Sequence, residues 1–187
     1  MGSKVRTVLF LTDLIFFDTD CISVFLWVNE ENLLAQMYQG RIIIPKEVYD
    51  ELSYPTISHL KIKLDVLISN KVARIECIDI TSQEYVLYRK LTTRFVDNNK
   101  IIGKGEAAAI SLAKKHCGIL ASNNLKDINT YISEFSLKHM TTGDILVEAF
   151  ENNLITEHQG NAIWTSMINR KRKLGANSFT EYLSKYK

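Results

Sequence analysis

Short apolar runs alternate with longer amphipathic segments along most of this chain, and this alternation most constrains its fold. A short apolar run suits a buried strand, whereas apolar residues three or four apart indicate a helix with one buried face. The runs predict strands at 15–17, 41–44, 72–78, 118–121 and 138–141, and the amphipathic segments predict helices at 20–39, 46–53, 82–96, 105–116, 126–134 and 143–152. Strands that alternate with helices form a parallel sheet covered on both faces. We therefore predict an α/β fold with a central, mostly parallel sheet.

The chain shows no linker or low-complexity tract that would divide it, and its 187 residues suit one domain with a small appendage. The segment 161–187 predicts a helix, a turn at 175–177 and a last short helix. We therefore predict a main domain at 1–155 and a C-terminal helical extension at 156–187 packed on it. The run Arg170-Lys171-Arg172-Lys173 could contact phosphate groups, but a solvated helix face is the favoured interpretation.

Composition indicates a soluble globular protein, with 46% apolar and 24% charged residues, and the net charge of +2 is too mild to indicate nucleic-acid binding by itself. The cysteines Cys21, Cys77 and Cys117 lie far apart among apolar residues, a pattern that predicts buried thiols in a reducing compartment. The apolar segment 8–16 is far shorter than the roughly 20 residues that span a bilayer. We expect a cytoplasmic protein that does not enter a membrane.

Acidic and amide side chains follow the predicted strands. Parallel sheets bind ligands beyond the carboxyl ends of their strands, so such side chains would share one edge. The residues concerned are Asp18 after the first strand, Glu47 and Glu51 after the second, Glu106 at the start of a helix after Gly103-Lys104-Gly105, and Asn123, Asn124 and Asp127 after the fourth. The two glycines predict a hinge that turns the Glu106 carboxylate toward Asp18.

Each of these residues also has a purely structural interpretation. Asp18 can cap the following helix, and Glu106 can be an acid in a first helical turn. Glu47 and Glu51 can face solvent, while the asparagines can belong to a turn. Separate structural roles would not, however, require all of them at strand ends of one sheet. Their joint placement therefore favours a functional site.

Clustered carboxylates raise one another's pKa unless a cation neutralises them. A set of oxygen ligands without histidine or thiol suits Mg²⁺ or Mn²⁺. Such an ion can activate water and stabilise the charge that develops on a phosphodiester under attack. The residues therefore predict metal-assisted phosphodiester hydrolysis.

Three stretches, 16-FFDTDCIS-23, 42-IIIPKEVYDEL-52 and 103-GKGEAAAISLAKKHCGILASNNLKDI-128, together resemble the PIN-domain family, especially the nuclease toxins of bacterial and archaeal toxin–antitoxin pairs. The resemblance covers roughly residues 14–155. It implies a three-layer α/β/α sandwich that cuts single-stranded RNA at a Mg²⁺ or Mn²⁺ site. It also implies an antitoxin protein as partner, and a homodimer is a further option.

The resemblance also implies the roles of individual residues. Asp18, Glu51, Glu106 and Asp127 would be catalytic, with Asp18, Glu106 and Asp127 as metal ligands and Glu47 as the alternative to Glu51. Thr19, Asn123 and Asn124 would support them. Many relatives carry an aspartate directly after the fourth strand, where this chain has Asn123 and Asn124. A subset shows the pattern Asn-Asn-x-x-acid, which residues 123–127 match, so that Asp127 would orient a water molecule on the metal.

Two other interpretations stay open. In a haloacid-dehalogenase-like phosphatase, Asp18 and Asp20 would be nucleophile and general acid, with Ser122 and Asp144 in its later motifs. That interpretation leaves Glu51 and Glu106 without a role. The third is a non-catalytic module on the same fold that binds RNA or a partner.

Overall fold

The computed structural model describes residues 13–93 and 101–186, and a parallel β-sheet lies at its centre. The strands described are β1 (Ile15–Phe17), β2 (Ile42–Pro45), β3 (Ala73–Glu76), β4 (Ile119–Ala121) and β5 (Lys138–Met140). They lie in the order β3-β2-β1-β4-β5, and every neighbouring pair is parallel. The predicted α/β fold is therefore confirmed.

Helices cover both faces of the sheet. Those described are α1 (Thr19–Val28), α2 (Glu31–Tyr38), α3 (Lys46–Leu52), α4 (Ser58–Ser69), α5 (Gln83–Thr92), α6 (Lys104–Lys115), α7 (Leu125–Phe135), α8 (Thr142–Glu151), α9 (Glu157–Asn169) and α10 (Phe179–Tyr186), with a 3₁₀ turn at Pro55–Ile57. Because side chains alternate along a strand, Phe16 packs with α5, α6 and α7, while Ile15 and Phe17 pack on the opposite face. The result is the predicted three-layer sandwich.

The direction of the sheet's growth reverses at β1. The chain adds β2 and β3 on one side of β1, then returns to place β4 and β5 on the other. In such sheets a ligand crevice lies beyond the carboxyl ends of the strands at the reversal. Here that crevice lies after Phe17 and Ala121, which pair in register.

Some predicted boundaries are wrong. The helix predicted at 20–39 is interrupted at Asn29, whose left-handed backbone (φ 62°) ends α1. Helix α4 is not among the predicted elements, because apolar residues at every second position of 60–66 obscure its helical spacing. Residues 94–96 of the predicted helix 82–96, and residues 1–12 of the predicted main domain, lie outside the described residues.

The C-terminal helices contribute to the same core as the sheet. Trp164 and Met167 of α9 and Phe179 of α10 are buried in the cluster that contains Ile15. Helix α9 ends at Asn169, so the basic run 170–173 lies in the turn after the helix. The prediction of a helix face is therefore wrong, whereas the predicted solvent exposure is confirmed for Arg170, Lys171 and Lys173. The division at residue 155 stays a prediction.

Two smaller predictions concern thiols and membranes. Cys21 is buried, but Cys77 and Cys117 are exposed, so the expectation of three buried thiols is wrong. Apolar neighbours in the sequence did not indicate burial here, because Cys77 follows the end of β3 and Cys117 follows the end of α6. Within residues 13–93 and 101–186, no helix has the length and apolar character needed to cross a membrane.

Candidate active site

Asp18 lies directly after β1 and caps helix α1. Its Oδ1 accepts a hydrogen bond from the Cys21 backbone N–H at 2.7 Å, and its own N–H donates to the Ala121 carbonyl of β4 at 3.0 Å. The side chain is only 3% exposed. Asp18 is thus a helix cap, as its structural interpretation required, but a surface cap would not need to be buried.

The environment of Asp18 is costly for a negative charge. Burial first, and the nearby charges of Asp20 and Glu106 second, raise its pKa from 3.8 to about 7, against hydrogen bonds from Ser122 and Cys21 that lower it. Among the interpretations of the sequence, only that of a phosphatase gave Ser122 a role. The pairing of Phe17 with Ala121 brings Ser122 beside Asp18. A prediction that these two strands are neighbours would have revealed this contact.

Glu51 joins three elements at this edge of the sheet. Its Oε2 accepts a short hydrogen bond from the Thr19 hydroxyl of α1, and its Oε1 accepts one from the Gly105 N–H of α6 at 2.9 Å. Glu51 therefore satisfies one of the free N–H groups at the start of α6. The structure brings Glu51, and not Glu47, into contact with Thr19.

Glu47 lies one helical turn before Glu51 and makes a different set of interactions. Its Oε2 is buried and has no hydrogen-bond partner among the described residues. Burial raises the pKa of Glu47, and the charges of Asp50 and Glu51 add to this effect. Glu47 therefore belongs to the acidic surroundings of Glu51 without bonding to the elements that Glu51 connects.

Gly105 provides space, not a hinge. Neither Gly103 nor Gly105 has a positive φ, so the predicted hinge is wrong. A Cβ atom on Gly105 would lie 2.6 Å from Thr19 Oγ1 and 2.8 Å from Glu51 Oε2, whereas one on Gly103 would meet nothing within 4 Å. The absence of a side chain at residue 105 lets α6 approach α1 and α3.

Glu106 and Asp127 are linked through Asn124. The Asn124 side-chain nitrogen donates to Glu106 Oε1 at 3.0 Å and to Asp127 Oδ2 at 2.8 Å. Two carboxylates thus converge on one amide nitrogen. The predicted site residues Glu106, Asn124 and Asp127 therefore form one group. This group lies near Asp18, since the charge of Glu106 contributes to the raised pKa of Asp18.

Asn123 connects the end of β4 to helices α1 and α8. Its nitrogen donates to Thr142 Oγ1 at 2.9 Å and to Asp20 Oδ2 at 3.3 Å, and its oxygen accepts from the Thr142 N–H at 2.9 Å. Asp20 also accepts from Arg172 Nη1 at 3.2 Å. Asn123 therefore fixes the position of Asp20 beside Asp18.

Basic residues of the C-terminal turn reach the same edge of the sheet, which sequence analysis did not predict. A pocket of ≈ 310 Å³ is lined by Asp20, Asn123, Asn124, Lys171, Arg172 and Lys173. Nothing in the sequence pattern joins Arg172 to Asp20, since 152 positions separate them.

The chemical type of the side chains at this site suits a hard cation better than their arrangement does. Across residues 13–93 and 101–186, no group of three or more His, Cys, Asp or Glu side chains is arranged to hold a metal ion. The donors are nevertheless carboxylate and amide oxygens, which Mg²⁺ and Mn²⁺ prefer. A cation would also compensate the negative charge of Asp18, whose pKa is raised by burial first and by the charges of Asp20 and Glu106 second. The donor set therefore fits a divalent ion.

Asp144, which the phosphatase interpretation needed as a metal ligand, has structural partners. Its Oδ2 accepts from the Thr141 N–H and hydroxyl at 2.7 and 2.8 Å, forming a capping box at the start of α8. Its Oδ1 accepts from the Tyr182 hydroxyl at 2.9 Å. Asp144 thus stabilises a helix start and its contact with α10.

Comparison with known proteins identifies the family. A family model described as a PIN domain matches residues 14–187. No curated protein matches the chain. PIN domains are generally nucleases, and they typically use divalent metal ions. The match covers nearly the whole chain, the C-terminal helices included, and agrees with the parallel sheet and the acidic edge described above. The chain therefore belongs to the PIN-domain family.

Proposed function

We propose that this protein is a Mg²⁺- or Mn²⁺-dependent endoribonuclease that hydrolyses phosphodiester bonds of single-stranded RNA. The observation that carries the proposal is Asp18, a buried acid whose pKa is raised to about 7 at the sheet's crevice, with Glu106 close enough to contribute. An acid kept in such a place without a charge partner destabilises the protein, whereas a bound cation would compensate it.

Each residue of the site has a role that follows from its position. Asp18, Glu106 and Asp127 would hold the cation, which when bound supplies Lewis-acid activation of water and stabilisation of charge on the phosphodiester. Glu51 holds Thr19 and the start of α6 in place. Asn124 orients Glu106 and Asp127, and Asn123 orients Asp20. Asp127 would also orient the water molecule for attack.

Metal removal tests the reaction. Purified protein should degrade single-stranded RNA in Mg²⁺ or Mn²⁺ and lose this activity in EDTA, with recovery when excess Mn²⁺ is added back. Electrophoresis of an end-labelled RNA gives the products, and Glu106→Gln controls for contaminating nuclease. Full cleavage in EDTA would rule out the mechanism.

The same assay distinguishes the alternatives. Family membership argues against the phosphatase, and Asp20→Asn should lower cleavage only modestly, because asparagine keeps a side-chain oxygen that can accept from Arg172 or Asn123. RNA binding without cleavage at any metal concentration would instead favour the non-catalytic module.

The proposed biological role is the toxin of a toxin–antitoxin pair acting in the cytoplasm. Induced expression of the wild-type chain should arrest growth of a host cell, and expression of Glu106→Gln should not. An antitoxin partner should relieve the arrest and co-purify with the chain. Light scattering of the purified protein would show whether it is a homodimer.

A further inference from the structure

The basic turn after α9 is built against the acidic edge of the sheet. Arg172 is held there by its ion pair with Asp20 at 3.2 Å, and its guanidinium carbon lies 6.0 Å from the centre of the Trp27 ring. Lys171 and Lys173 flank it and are exposed. The pair with Asp20 thus positions two neighbouring lysines at the pocket that they line with Asn123 and Asn124.

The backbone of Lys171 is unusual for a lysine. It has φ 59°, the left-handed region in which glycine is favoured. Its N–H donates to the Ile168 carbonyl at 2.7 Å and the Arg172 N–H donates to the Met167 carbonyl at 3.2 Å, the pattern that commonly ends a helix with glycine. A lysine is therefore present at a position where glycine would fold more easily.

The charges of Lys171 and Lys173 and the side chains that line the pocket indicate which kind of ligand the pocket binds. In the described part of the chain neither lysine has an ion pair or side-chain hydrogen bond, so their two positive charges are uncompensated, whereas Asp20 is already paired with Arg172. Every described side chain that lines the pocket is charged or carries an amide, which argues against the core of a protein interface. Asn124, which lines the pocket, contacts Glu106 and Asp127, two of the acids proposed to hold the catalytic cation.

We infer that Lys171 and Lys173 bind backbone phosphates of the RNA strand and so hold the scissile bond at the acids of the active site. This inference rests on the proposed function and adds the part of the chain that binds the substrate. The two lysines are binding residues, and Arg172 is a positioning residue.

The chain offers a matched control for Lys171. Lys71 has φ 57° and ends α4 with the same pair of hydrogen bonds, from its N–H to Ile68 and from the Val72 N–H to Leu67. Lys71 is exposed and lies just before β3, at the amino ends of the strands, whereas the active site lies beyond their carboxyl ends. Lys71→Gly and Lys171→Gly thus change the same charge in the same backbone motif.

The test measures binding of a fluorescent single-stranded RNA in EDTA by anisotropy, over a range of salt concentrations. Lys171→Gly should melt no lower than wild type, bind roughly three- to tenfold more weakly and lower the slope of log affinity against log salt by about 0.7. Lys173→Gln, in ordinary backbone, should do the same. Lys71→Gly should bind like wild type.

Failure of this inference differs from failure of the proposed function. If wild type cleaves RNA and Lys171→Gly and Lys173→Gln bind and cleave like Lys71→Gly, the inference is overturned, and an acidic protein segment becomes the better ligand for the turn. If the lysine variants lose binding as expected but wild type never cleaves with Mg²⁺ or Mn²⁺, the assignment of the two lysines as RNA-binding residues stands and the enzymatic function is wrong.

Discussion

Asp18 makes the stability of the metal-free protein depend on pH. Its pKa is raised from 3.8 to about 7 by burial first and by Asp20 and Glu106 second, so between these pH values the folded state keeps a proton that the unfolded state loses. The resulting stabilisation is complete below about pH 4 and is lost as pH rises through about 7, and it amounts to on the order of 4 kcal/mol.

Asp18→Asn should remove this dependence while keeping a good helix cap. In EDTA the variant should be about as stable as wild type at pH 4 and more stable by a few kcal/mol at pH 8. Chemical denaturation at the two pH values measures the difference. A variant that loses the same stability at both would mean that Asp18 serves only as a cap.

Glu106→Gln tests the second acid of the site. Glutamine keeps the side-chain length and an oxygen to accept the Asn124 hydrogen bond, but removes a charge that raises the pKa of Asp18. The metal-free variant should fold normally and be slightly more stable above pH 7. Its Mn²⁺ affinity and RNA cleavage should each fall by about tenfold or more.

Calorimetric Mn²⁺ titration, thermal melting and the cleavage assay measure the three effects. Glu84→Gln is the matched control, because Glu84 is also an acid in a first helical turn, that of α5. Unchanged metal binding and cleavage in Glu106→Gln would remove Glu106 from the site.

At the scale of elements, the contact of α6 with α1 and α3 depends on Gly105. In Gly105→Ala the added methyl would lie against Thr19 Oγ1 and Glu51 Oε2, so these two side chains, or α6 itself, must shift. We expect a loss of about 1–3 kcal/mol of stability and a loss of cleavage, because the hydrogen bonds that Glu51 makes at the start of α6, next to Glu106, are disturbed. Gly103→Ala, where the methyl meets nothing, should change little. Equal behaviour of the two variants in melting and cleavage would contradict this account.

The sequence predicted elements better than contacts between them. The apolar runs correctly predicted that strands end at Phe17 and Ala121. They therefore also predicted that Asp18 and Asn124 lie at the same edge of the sheet. The role of Gly105 did not follow, because close approach is a property of two helices and leaves no local pattern. The end of α9 was hidden for a related reason: Lys171 occupies the left-handed position, so the glycine that usually marks a helix end is absent.

At the scale of the whole molecule, the C-terminal helices share the core of the sheet. Removing residues 157–187 would take away Trp164, Met167 and Phe179, which are buried. Loss of a large buried side chain costs about 3–5 kcal/mol, and a domain has about 5–15 kcal/mol in total, so the truncated chain should not fold stably.

Circular dichroism and gel filtration of residues 1–156 would test this expectation. A cooperative melt near that of the full chain would instead show that the domain predicted at 1–155 is an independent unit. The sequence could not decide this, because amphipathic helices pack equally well onto a domain or within one.

The ion pair between Asp20 and Arg172 has a consequence for the order of synthesis. Residue 20 is synthesised long before residue 172, which lies 152 positions later, and the pair cannot form until residue 172 has been translated. A growing chain therefore carries its acids without the basic turn. Under the proposed function, such a chain has not yet formed the turn that would bind RNA, so its substrate-binding pocket is completed only after residue 173 has been translated.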